Sequence, residues 1–223
     1  MSAGSDRFGS VAQDDLRPAQ GAKRHASAER TKAFTDAVVA IAMTLLILPL
    51  MESVVELSHD GGTATEWVQE NTWELLVFVL SFGLIGAFWM SHHRLFERIH
   101  RVSGPLLVLN SAWMLTIVWL PVATATFGLV PVDAVQKVLY IGALFATSAL
   151  LAVLGVYSLR HPELHDIPEE NLRNGIVAEL VATITFAAIL VIAIAFPAVG
   201  YWAMALLVVM GPAQWLIRRY ARR

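Results

Sequence analysis

Ionisable side chains are costly inside hydrocarbon, so a chain built of long apolar runs reveals its chemistry through the few that remain there. Here they are Asp36, His92, His93 and Glu179, accompanied by the uncharged polar residues Asn110, Thr116 and Gln214. Asp36 follows Arg30 by six residues and lies about one turn inside the first apolar run. Its carboxylate could exchange a proton or accept charge-assisted hydrogen bonds, and with equal force it could cap the free N–H groups at a helix start. His92 and His93 come just after Trp89 at the far end of the second run, which returns them to the depth of Asp36. An imidazole or indole N–H donated to the carboxylate, with Arg30 nearby, would tie the two helices together. Trp89 alone also reads as an interfacial anchor. Neighbouring histidines point in different directions on a helix, so no shared metal is expected. Glu179 either reaches the interface or pairs with Arg173, and Asn110 suits a hydrogen bond to an adjacent helix.

The elements that must position these groups are membrane helices. Of the 223 residues, 57% are hydrophobic and 15% charged, and the charges gather at the two ends and in short connecting segments. The runs between them are apolar on every side, as lipid-facing helices must be. A span needs about 20 mostly apolar residues. Six segments approach that length, over residues 34–51, 73–98, 105–127, 134–159, 172–196 and 199–217, so the expected fold is an all-α membrane protein with six transmembrane helices. Residues 31–220 then form one membrane domain, and residues 1–30 read as a disordered cytoplasmic tail without a signal-peptide core.

Cytoplasmic loops accumulate Lys and Arg, and an arrangement with both termini inside leaves only Lys137 of the 16 basic residues outside. The outer loop after the first helix instead carries Glu52, Glu56, Asp60, Glu66 and Glu70, which would concentrate cations or simply solvate a loop. Gly83, Gly86 and Ala87 make a small-residue patch on the second helix suited to close packing. A formal net charge of -2 gives no reason to expect nucleic acid as a partner, and the absence of cysteine excludes disulfides. The chain has no Thr-Val-Gly-Tyr-Gly filter, no arginine-repeat voltage sensor, no phosphate-binding glycine loop and no His-Glu-x-x-His motif. Its polar groups are too sparse at any one depth for a membrane enzyme.

The segment Arg30-Thr-Lys-Ala-Phe34-Thr35-Asp36, continuing through Ile41, Thr44, Leu45 and Leu48, resembles the signature that opens the first helix in the lysosomal potassium channel family, transmembrane protein 175, in its bacterial branch. Thr35 stands where that signature has serine, which keeps the hydroxyl. Further likeness lies in Phe88-Trp89-Met-Ser-His92-His93-Arg-Leu-Phe96, in Leu109-Asn110 and in Leu120-Pro121. The resemblance covers the first three predicted helices; the last three agree in number and length.

The resemblance implies a potassium-selective cation channel in the bacterial plasma membrane, a homotetramer whose first helices line one central pore. It implies no cofactor beyond the permeant potassium ion. Position by position, an apolar constriction falls on Ile41, Leu45 and Leu48, with Thr44 as a nearby polar pore position. Arg30, Phe34, Thr35 and Asp36 match the motif that ties the base of the pore helix to its neighbours, with Trp89, His92, His93 and Asn110 as the surrounding network. A narrow apolar ring dewets and blocks ions until it widens. Spacing alone does not select this face, because Met43, Leu46 and Ile47 are equally apolar. Two other readings stay open on the residues: a proton-coupled secondary transporter using Asp36 or Glu179, and a membrane scaffold that conducts nothing.

Overall fold

The computed structural model describes residues 28–129, 131 and 133–196, and within them every regular element is helical. Among the described residues, five stretches are long and apolar enough to cross a bilayer: Ala28–His59, Thr72–Phe96, Gly104–Leu129, Ala134–Arg160 and Glu169–Ala195. The expected sixth helix, over 199–217, lies outside the described residues, as does Gln214.

The first stretch comprises α1 over residues 28–45 and α2 over Leu48–Asp60. It starts six residues before Phe34, so Ala28, Glu29 and Arg30 are helical rather than part of a tail, and it continues beyond the expected end at Met51. The reason for the continuation is Pro49, which stands in the first turn of α2, where a missing N–H costs nothing. The helix tightens just before it, with Ile47 N donating to the Thr44 carbonyl at 3.3 Å, and resumes with Met51 N donating to Ile47 O at 3.0 Å. Gly61, at φ 70°, ends α2 in the left-handed conformation that only glycine adopts without strain.

The outer loop expected after the first helix also contains a short helix, α3 (Ala64–Glu70). Its start carries a reciprocal capping box between Thr63 and Glu66, and Trp67 Nε1 donates to Ser53 Oγ at 2.9 Å to hold α3 against α2. The Thr63 bonds hold the Glu66 carboxyl below its ordinary pKa.

Four long helices follow: α4 (Thr72–Phe96), α5 (Gly104–Leu129), α6 (Ala134–Arg160) and α7 (Glu169–Ala195). α6 is the most enclosed, packed chiefly between α5 and α7, whereas the first stretch is the least enclosed. α6 approaches α7 closely at Gly155, where an added Cβ would lie 2.8 Å from Ile176. Polar and aromatic contacts join α4, α5 and α6: the Ser81 and Tyr140 hydroxyls lie 2.9 Å apart in the interior, and Tyr140 stacks on Phe127 at 4.8 Å. Pro121 sits within α5, buried, and the helix runs through it. At the other end of the bundle, the α4–α5 and α6–α7 connections clasp each other through the antiparallel pair Ile99 and His165, and His100 Nε2 lies 2.6 Å from Asp166 Oδ2.

Lys137, the one basic residue expected outside, does not face solvent. It is buried, and its ammonium donates to the Ala193 carbonyl at 2.7 Å, satisfying a group at the C-terminal end of α7.

Candidate functional site

The polar residues singled out in α1, α4 and α5 converge at the base of α1. Thr35, His92 and Asn110 are all sealed from solvent and form one directed relay. Thr35 Oγ1 donates its proton to the Thr31 carbonyl at 2.9 Å, so its remaining capacity is as an acceptor. Asn110 Nδ2 donates to that oxygen at 2.9 Å, which leaves Asn110 Oδ1 facing His92 Nε2 at 2.7 Å. An amide oxygen only accepts, so His92 carries its proton on Nε2. The imidazole ring is sandwiched between Phe96, 4.1 Å away, and Trp113, 4.2 Å away, both nearly parallel to it.

Asp36, one residue beyond Thr35, turns toward α4 and accepts from Trp89 Nε1 at 2.8 Å. Trp89 also lies against the exposed ring of His93, with centroids 5.3 Å apart. The helix base is therefore held by two separate links, the carboxylate to the indole of α4 and the threonine hydroxyl to the amide of α5. Of the two donors expected for Asp36, the indole of Trp89 serves it, while the imidazole of His92, one turn on along the same face of α4, serves Asn110. Arg30 is exposed at the start of α1. Phe34 is 62% exposed on α1.

Lys32 is an unanticipated third link. Its ammonium donates to the Glu97 carbonyl at 3.0 Å, just past the end of α4, and pairs with Glu29 at 2.8 Å. Trp113 is the other residue that sequence reasoning missed; a tryptophan among apolar neighbours carries no mark of the histidine it will cover.

Above the base, α1 is strongly two-sided. Thr35, Val39, Ala42, Leu46 and Leu50 are buried against the bundle, and Met43 packs partly into it near Gly86. Ile41 (60% exposed), Leu45 (39%) and Leu48 (50%) lie on the opposite side, together with Thr44, whose hydroxyl donates to the Ile41 carbonyl at 2.7 Å. Leu46 and Met43, as apolar as the other three, thereby belong to the interior. Glu179 sits half-buried on α7, and Arg173 donates through Nε and Nη2 to Glu169. Thr116 bonds the Trp113 carbonyl of its own helix at 2.7 Å.

Residues 30–121, which run from the first motif residue into α5 and contain this whole network, match the family described as endosomal/lysosomal potassium channel TMEM175. A relative from Bos taurus, described as an endosomal/lysosomal proton channel TMEM175, is 34% identical over 120 residues, covering 50% of this chain and 25% of its own. A protein of Streptomyces collinus described as a potassium channel is 34% identical over 100 residues, covering 43% of this chain and 45% of its own. The chain thus matches about a quarter of the length of the vertebrate relatives and under half of the bacterial ones. In fold it is similar to the crystal structure of a lysosomal potassium-selective channel TMEM175 homolog from Chamaesiphon minutus, with a TM-score of 0.68 and 17% identity over 89% of this chain and all of that one.

Proposed function

Over residues 30–121 this chain is a member of the TMEM175 family, and from that premise we propose that it is a potassium-selective cation channel, formed by four copies around one pore lined by their first helices. The bacterial relatives described as potassium channels support the choice of ion. The observation that carries the reading is the two-sidedness of α1: a helix anchored at its base by Thr35 and Asp36 leaves Ile41, Leu45 and Leu48 uncovered on its far side. In a fourfold ring each of these layers contributes one apolar collar, with Thr44 offering a hydroxyl edge beside them. Such a collar excludes ions by dewetting until it widens, and potassium, which sheds water more readily than sodium, crosses it with modest preference.

Both termini are cytoplasmic in this reading, and the protein resides in the bacterial plasma membrane. The base network is structural: it fixes the rotation of α1 about its own axis, and with it which residues meet the pore. No cofactor or metal enters the mechanism.

Liposome flux under a potassium gradient tests the proposal, with wild type compared against Ile41→Asn. Potassium should outrun sodium in the wild type, and the variant should lose that preference while conducting more. Equal, unselective flux in both proteins would remove Ile41 from the constriction.

A second reading rests on the embedded carboxylates Asp36 and Glu179, and the vertebrate relatives, described as proton channels, make the proton the other ion to test. A proton-coupled transporter using Asp36 or Glu179 would dissipate a pH gradient with saturating kinetics and yield no single-channel currents. Unitary potassium currents from the purified protein decide against it.

A further inference from the structure

We propose that α2 continues the contact between copies beyond the membrane, through Leu48, Met51 and Val55. The inference rests on the tetrameric reading above and extends it from the constriction to the outer mouth.

Ala28–His59 contains 32 residues, which at about 1.5 Å per residue spans roughly 48 Å, against about 30 Å of hydrocarbon. Counting some 20 residues from Lys32, whose charge marks the inner interface, brings the helix out of the hydrocarbon near Glu52. Val55 stands one turn further, beyond the reach of lipid tails.

One side of α2 is already occupied. Leu50 is buried, Ser53 is half-buried and takes the Trp67 indole N–H, and half-buried Leu57 lies directly under Gly62. The opposite side carries Leu48 (50% exposed), Met51 (58%) and Val55 (55%), which nothing among the described residues covers. This stripe continues the exposed face of α1: Ile41, Leu48 and Val55 recur every seven residues, the spacing that keeps one helix edge against a parallel partner in a supercoiled bundle. A stripe that lipid can cover at Ile41 leaves the lipid tails before Val55, so only protein can cover it continuously over that length. A second copy, arriving by the same symmetry that closes the constriction, presents the matching stripe at every level.

The cysteine-free chain makes the test direct. Single variants Leu48→Cys, Val55→Cys and Val135→Cys are oxidised in native membranes with copper phenanthroline and read as dimer on non-reducing gels, after each has been shown to keep the wild-type gel-filtration profile. Val135 is 63% exposed at the start of α6 and reports random collision. Dimer from Leu48→Cys and Val55→Cys, at least several-fold above Val135→Cys, is the expected result. Dimer from Leu48→Cys alone would overturn the extension and leave another occupant on α2, while the shared pore would stand. Dimer from neither would remove the shared pore along with it.

Discussion

Asn110 of α5 donates its amide to Thr35 of α1 across 2.9 Å, with both side chains sealed from solvent. The bond is directional: Thr35 has spent its own proton on Thr31, so only a donor can satisfy its oxygen. Replacing Asn110 by Ala strands the Thr35 acceptor and the His92 donor together. A buried group left unpaired costs about 1–3 kcal/mol. With two groups stranded, we expect Asn110→Ala to lose about 2–6 kcal/mol in a detergent-unfolding titration, and Thr35→Ser, which keeps the hydroxyl, to lose far less than Thr35→Val.

The position of His92 between Phe96 and Trp113 separates packing from hydrogen bonding. His92→Phe retains the ring stack and leaves only Asn110 Oδ1 unserved. His92→Ala also opens a cavity, and deleting a buried ring typically costs about 3–5 kcal/mol. Stability should therefore fall in the order wild type, Phe, Ala, measured by the same unfolding titration. A Phe variant as unstable as the Ala variant would assign the whole effect to the hydrogen bond.

Asp36 and Trp89 form the second link, an indole N–H on a carboxylate at 2.8 Å. A double-mutant cycle with Asp36→Ala and Trp89→Phe should give a coupling of about 1.5–3 kcal/mol, the range for hydrogen bonds to charged groups. Because the link fixes the rotation of α1, either single variant should also lower potassium preference in liposome flux. Unchanged selectivity in both would limit the link to stability.

Glu66 and Thr63 cap α3, and the Thr63 bonds hold the Glu66 carboxyl below its ordinary value. A carboxyl whose pKa is depressed on folding adds stability that is complete above its unfolded value and disappears as pH falls through the folded one. Amide protection over residues 63–70, corrected for the intrinsic pH dependence of exchange, should accordingly fall below about pH 4, the ordinary range for a glutamate. Thr63→Ala removes the hydroxyl but keeps the backbone N–H bond to Glu66, so it should lower protection at neutral pH and retain part of the acid dependence.

Glu52 stands beside the stripe that continues the constriction, one heptad above Leu45. If four such carboxylates surround the mouth, they raise the local cation concentration by an amount that salt screens. Glu52→Gln should reduce potassium conductance in about 0.01 M salt and converge on wild type near 1 M, where the screening length is about 3 Å.

The sequence by itself determined that the chain is a multi-helix membrane protein, because apolar runs of this length admit no other solution for the backbone. It also brought Asp36, Trp89, His92 and His93 together at one depth, since a helix running back across the bilayer must return there, while Asn110 joined them only through the family resemblance. The tertiary structure decided the pairing. Which edge of α4 faces α1 depends on how the helices rotate against each other, and that assigned Trp89 to Asp36 and His92 to Asn110. The same rotation divided α1: Leu45 and Leu46 are neighbours of one chemistry, yet Leu46 is buried and Leu45 is not, because Thr35 and Asp36 are held from opposite partners below them. Periodicity could not make that division in a segment apolar on all sides, whereas a fixed base could.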